Sequence, residues 1–259
     1  MVSREDAAPS LPESCNLPKV DRLAPNWVRK TDMCGRYTLS DIDMEVLKRI
    51  FLLQNVPDLR PRYNIAPTQE IPVVEEAKST NERSMEMVRW GLIPFWAESP
   101  GTVSNGTGYF NLRSETVQKG GWIPILKNRR CLIPASGFYE WKKIDEKTKQ
   151  PQYIQRPKGE PLAFAGIYDH WKDKNGDSEI HGCAIITTDA NSAVQPIHHR
   201  MPVIIPESIF DVWLDPDFKD LEAIASFLRP YDGPLVSHGV STHVNSPRND
   251  TPECIAALV

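Results

Sequence analysis

Nowhere in this 259-residue chain does an apolar run approach the ~18 residues that a membrane-crossing helix needs, which excludes a helical membrane protein. An excess of basic charge is missing too. Thirty Lys and Arg stand against 34 Asp and Glu, a formal net charge of −4. That excludes a blanket attraction to nucleic acid, so any such binding has to rest on a local basic groove. The five cysteines, Cys15, Cys34, Cys131, Cys183 and Cys254, are odd in number and include no Cys-x-x-Cys pair. Neither a disulfide framework nor a zinc knuckle fits, and free thiols in a reducing compartment do. No repeat is present, and no cofactor or metal is expected.

What is present is an ordinary globular balance, 40% hydrophobic and 25% charged, enough for one large domain or two small ones. Residues 1–32 stand apart. They are rich in Pro, Ser and charge, and they lack both the apolar core of a signal peptide and the basic bias of a transit peptide. They read as a disordered extension, with the folded domain over 33–259.

After the extension, Ser40 and Asp43 form a capping-box pattern, and Ile42, Val46, Leu47, Ile50 and Phe51 follow at helical spacing. That helix is predicted to end near Asn55-Val56-Pro57. The proline-dense segment 60–74 reads as loop passing into strand. Five short apolar segments (85–94, 131–141, 161–171, 181–190 and 201–206) read as strands, with a hairpin turn at 173–177. Residues 206–215 and 220–229 read as helices, and 146–153 as a polar surface loop. The sum is α+β, one domain with a closed or nearly closed mixed sheet.

Four stretches place polar residues where a strand or its end should be apolar: MCGRY, FNLRSET, GFYEW and IHHRMPV. Singly, each has an ordinary structural explanation. Asn111 fits a turn, Glu140 a surface ion pair, His198 or His199 a packed histidine. Together they supply Cys34, Asn111, Glu140 and His198, a nucleophile with an acid–base set.

Read in order, MCGRY, PRYNIAPTQ, WGLIPFW, FNLRSET, CLIPASGFYEW, FAGIYD, ITTDAN and HHRMPVI make the chain resemble the SOS response-associated peptidase (SRAP) family from Met33 to about Ala257. The resemblance implies the SRAP fold, a mixed or antiparallel barrel-like sheet with a few flanking helices. It implies a DNA-damage protein that binds single-stranded DNA containing an abasic site and becomes covalently linked to it. The nucleophile is then the first residue of the mature chain, here Cys34, served by Asn111, Glu140 and His198. His199 is left as a packing or surface residue.

The chemistry explains the demand for an N-terminal cysteine. An abasic sugar opens to an aldehyde, an amine adds to it and loses water to give an imine, and a thiol two carbons away closes a five-membered thiazolidine. An internal cysteine has its nitrogen locked in an amide. An α-amine, with a reference pKa of about 7.7–8.0, is about a tenth free base at pH 7. In the roles that follow, Glu140 steers protons at the amine and opened sugar. His198 acts as acid or base in ring opening and reversal, and Asn111 holds the amine or sugar oxygen. Arg36, Arg113 and Arg200 would contact phosphates, Trp90 and Trp141 would stack near the DNA, and Asn64 and Pro67 would shape its cleft.

Residues 1–32 leave three alternatives: translation starting at Met33, cleavage between Met33 and Cys34, or a retained extension that blocks the chemistry. The competing functions are a cysteine autopeptidase that releases Cys34, a non-covalent binder of single-stranded or modified DNA, and a thiol protein unrelated to DNA. The expected molecule is a monomer inside the cell, in the nucleus of a eukaryote or the cytoplasm and nucleoid of a bacterium.

Overall fold

The computed structural model describes residues 34–258 other than 41, 42, 79 and 81. The expected extension, Met33 and Ile42 lie outside the described residues.

Period-2 alternation sets the main layer. In β3 (Glu70–Glu76), Ile71 and Val73 join one buried cluster while Val74 joins another. In β6 (Arg130–Ala135), Cys131 and Ile133 divide from Leu132 in the same way. Both faces of these strands are therefore covered, which is why the sequence there runs almost continuously apolar. With β4 (Arg83–Trp90), β9 (Leu162–Lys172) and β10 (Glu179–Asp189), these strands pair in the order β10-β4-β3-β6-β9 and back to β10. The result is a closed five-stranded barrel with no free edge. Two short strands, β5 (Asn111–Arg113) and β11 (Arg200–Pro202), pair with the far half of β10.

The inner cluster includes Tyr37, Trp90, Phe138, Phe164, Cys183 and Ile185. The outer one is covered by α1 (Met44–Phe51), α3 (Trp122–Asn128), α4 (Phe210–Leu214) and α5 (Leu221–Ser226). A second, antiparallel sheet flanks the barrel. It runs β12 (Val236–Gly239), β8 (Lys149–Gln155), β7 (Gly137–Lys143), β1 (Tyr37–Leu39), β2 (Arg62–Ile65). The described residues belong to one compact unit, and the architecture is α+β as expected.

Local departures from the expectations have physical reasons. Ser40 does not cap α1. Its amide donates to Ser136 Oγ and its carbonyl accepts from the same hydroxyl, tying β1 to the β6–β7 junction. Asp43 is the cap, accepting from the Glu45 amide at 2.9 Å. The helix stops at Phe51 rather than near 55–57 because Leu52 turns left-handed and Leu53 N–H closes onto the Lys48 carbonyl. The segment 60–74 holds β2 as well as β3. The predicted loop 146–153 is largely β8, since Pro151 occupies a ladder position where only its carbonyl is used, by the Val240 amide. Of 201–206 only the first part is ladder strand, in β11; Val203 and Ile205 then hydrogen-bond to Ile186, Ala163 and Ala165.

One crossing positions everything that follows. β4 leaves β10 after Trp90, and the Gly91 amide donates to the Cys183 carbonyl. A Cβ on Gly182 would sit 2.7 Å from the Gly91 carbonyl oxygen, a backbone atom with nowhere to go. Gly182→Ala is expected to cost about 1–3 kcal/mol or more by overpacking. Gly101→Ala, whose Cβ would meet only the Ser99 hydroxyl at 3.8 Å, should stay within about 0.5 kcal/mol. Urea denaturation midpoints of the two variants check this.

Candidate active site

The four sequence stretches meet. Cys34 lies just before β1, Asn111 opens β5, Glu140 is the fourth residue of β7, and His198 precedes β11. The Asn111 side-chain amide donates to the Cys34 carbonyl at 2.6 Å. The Cys34 thiol points at the Arg200 carbonyl, 3.9 Å away. His198 Nδ1 lies 3.1 Å from that same carbonyl oxygen, 3.2 Å from the Arg200 amide nitrogen and 3.6 Å from Glu140 Oε1. The Arg200 peptide is thus the shared support of thiol and imidazole. Cys34, Asn111 and Glu140 are all buried.

Burial, and after it the negative charge of Glu140, pushes the Cys34 thiol well above the ordinary thiol range. At neutral pH this sulfur is a thiol and not a thiolate. Asn111 Oδ1 is buried without a hydrogen-bond partner among the described residues. An acceptor left open beside Cys34 is what an incoming N–H or O–H would need.

The expected DNA contacts divide. Arg113 shares the β5 face of Asn111, two residues on, and is half-buried. Trp141, part-exposed at the edge of β7, has its indole N–H held by Asn245 Oδ1 at 2.8 Å. A surface cleft of about 430 Å³ opens against that ring and is lined by Lys143, Lys147 and Lys149. Asp145 and Glu146 line the same cleft, so its charge is only slightly basic. Pro67 sits in the turn after β2, away from the residues that line this cleft, and is followed by Thr68 at φ 76, a strained value for a β-branched residue.

Other expected contacts are otherwise engaged. Trp90 is fully buried, packs edge-on against Tyr37 and Phe110, and donates to the Phe110 carbonyl. It offers no face to a base. Arg36 donates to Asn64 Oδ1, the Val244 carbonyl and the Asn245 carbonyl. Asn64 is buried and donates to the carbonyls of Val244, Ser246 and Asn249. These two residues fasten the segment 244–249 beside Trp141 and so shape the cleft without facing it. Arg200 is also committed. Its guanidinium takes both oxygens of Glu115, one of Asp189, and the Thr187 carbonyl.

Sequence reasoning missed Glu115, Asp189, Asn245 and Asp250. The Asp250 carboxylate accepts from the Tyr63 and Asn64 amides and from Arg62, locking the C-terminal segment onto β2. The first two stood inside quoted motifs, FNLRSET and ITTDAN, but acidic residues next to a suspected anion site gave no reason to choose them. The last two lie in NSPRND, whose density of turn formers reads as surface loop.

Comparison with known proteins identifies the family. Residues 33–247 match the family model described as SOS response associated peptidase (SRAP). The chain is 38% identical over 227 residues to a Bacillus subtilis protein named abasic site processing protein YoqW, covering 86% of this chain and 99% of that protein. It is 34% identical to the Gallus gallus abasic site processing protein HMCES, over 77% of this chain and 67% of that one. Among solved structures, a Bacteroides thetaiotaomicron protein superimposes with a TM-score of 0.68 at 27% identity, over 88% of this chain and 99% of its own. Family model, relatives and fold concur, and the chain belongs to the SRAP family.

Proposed function

We propose that the protein captures abasic sites in single-stranded DNA by forming a thiazolidine through the α-amine and thiol of Cys34, standing as the first residue of the mature domain that begins there. The observation that carries this reading is the clustering of the four residues: Cys34 and His198 share the Arg200 carbonyl, Asn111 holds the Cys34 carbonyl, and Glu140 lies beside His198. The names of the relatives point to the same substrate.

In this reaction Asn111, fixed on the Cys34 carbonyl, presents its open Oδ1 to an N–H of the amine or the sugar hydroxyl. Glu140 takes a proton from the amine as it adds to the aldehyde and returns one as water leaves. His198, within reach of Glu140, passes protons to the ring oxygen of the sugar during opening. The thiol adds to the imine carbon and its proton goes to the imine nitrogen, so one water is lost overall. Ring closure draws on the high effective concentration of a thiol on the same residue. Trp141 and the lysine-lined cleft take the flanking strand.

Self-cleavage before Cys34 is less well supported. Thiolate attack on an amide needs a sulfur with a lowered pKa, and this one is pushed the other way.

The test is intact mass after incubating protein that begins at Cys34 with single-stranded DNA bearing one abasic site. The expected product weighs protein plus DNA less one water and survives heat. With Cys34→Ala the heat-stable product is lost, while borohydride still traps an imine at the new terminal amine. A full-length chain carrying residues 1–32 should give neither. A stable adduct of unchanged yield with Cys34→Ala would overturn the thiazolidine reading.

The pH dependence follows from the two groups. The amine, of reference pKa about 7.7–8.0, loses its proton as pH rises, so the rate should climb about tenfold per unit from pH 6 and level off near pH 8. A raised thiol pKa means the sulfur stays protonated across that range, so no second rise should appear below about pH 9. Iodoacetamide at pH 8 should label Cys34 in the folded protein at least tenfold more slowly than in the denatured chain, read by mass.

A further inference from the structure

Arg200 is an arginine expected to hold a phosphate, yet the structure spends its donors elsewhere. Nη1 donates to Glu115 Oε1 at 2.9 Å and Asp189 Oδ1 at 2.8 Å; Nη2 donates to Glu115 Oε2 at 3.1 Å and the Thr187 carbonyl at 2.7 Å. Every terminal N–H is used. Only the Nε–H is left, buried without a hydrogen-bond partner among the described residues. The exposures decide who covers whom. The Arg200 side chain is 5% exposed, Glu115 53% and Asp189 79%, so the two carboxylates form the solvent side of the cluster. These three groups, one guanidinium and two carboxylates, sum to a charge of −1.

We propose that Glu115 is a built-in competitor for the phosphodiester group that Arg200 would take: a carboxylate that occupies the guanidinium end-on until a DNA phosphate exchanges with it. This inference rests on the DNA reading of the site. The two oxygens of Glu115 bridge Nη1 and Nη2 as the two non-bridging oxygens of a phosphodiester would, so the exchange swaps one bidentate anion for another. Glu115 lies on the four-residue helix α2 (Ser114–Val117), already half in water, and can swing out without disturbing the core. Asp189 and the Thr187 carbonyl still hold the guanidinium afterwards. The Arg200 carbonyl, which supports Cys34 and His198, therefore stays where it is.

Two consequences follow. The free protein never buries an unpaired arginine. A strand of DNA gains nothing from Arg200 by bulk attraction, only by an oriented exchange at the lesion's flank, so undamaged strands are held weakly.

The experiment measures binding of an undamaged single-stranded oligonucleotide, with salt dependence, beside crosslinking to its abasic counterpart. Glu115→Gln keeps the size and one acceptor but removes the competing charge. It should bind about fivefold to tenfold more tightly at low salt. The slope of log affinity against log salt should steepen by about 0.7, since Arg200 then neutralises one more phosphate. Glu115→Asp keeps the charge with a shorter reach and should fall between, which covers the case where the Gln variant folds poorly. Unchanged or weaker binding by both folded variants, judged by thermal melting, would make Glu115 a structural anchor and overturn the proposal. If the wild type neither binds the strand nor crosslinks to the abasic one, it is the parent DNA reading that fails.

Discussion

The site depends on one strand changing partners on both edges. Over its first half β10 closes the barrel, pairing with β9 through Ile185↔Gly166 and with β4 through Cys183↔Trp90. Past that point β5 replaces β4, with Ile185↔Asn111, and β11 replaces β9, with Asp189↔Arg200. The exchange delivers Asn111 along one edge and the Arg200 peptide along the other. It is sterically exacting because β4 and β10 touch backbone to backbone at Gly91 and Gly182. The closed half supplies rigidity, since a barrel has no edge to fray. The open half supplies two strand ends on which functional groups can stand, and β1 and β7 bring Cys34 and Glu140 to the same place from the second sheet.

Buried polar groups then fix that meeting point. Arg36, Asn64 and Asp250 spend their hydrogen bonds on backbone groups of other segments, which is the usual fate of a polar side chain denied water. Their cost of burial is met locally, and the result is a loop, 244–250, held beside Trp141 as firmly as a strand would be. A polar residue near a suspected site is therefore weak evidence for ligand contact. Arg36 organises the cleft, and only the accounting of its donors reveals it.

That accounting explains how much was legible from residues alone. Strands with both faces buried announce themselves as apolar runs, so β6 and the buried stretches of β9 and β10 were readable. β8 was not, because KTKQPQY shows a solvent face and a proline while its pairing is supplied by β7 and β12. Cys34, Asn111, Glu140 and His198 stood out as polar intrusions in apolar segments, and the family motifs ordered them. Trp90 was misread because an aromatic beside Gly-Leu-Ile looks the same whether it faces a cleft or a core. Glu115 and Asp189 escaped notice because an arginine's partner is chosen by three-dimensional register, here Asp189 opposite Arg200 across a ladder, and no local pattern encodes it.

The state of the sulfur joins the fold to the proposed chemistry. A thiol enclosed by the core edge, facing a carbonyl and the Glu140 carboxylate, has every reason to keep its proton. For a hydrolase this would be a handicap, since amides demand a strong nucleophile. For ring closure onto an imine the demand is smaller. The carbon is already electrophilic, the sulfur is tethered two carbons from the nitrogen, and the proton it sheds has a destination in that same nitrogen. Keeping the thiol neutral also protects it, because oxidation and alkylation both run through the thiolate. For the proposed chemistry, a thiol is best held in the form that reacts with its partner and with little else, and burial beside an acid does that without any further device.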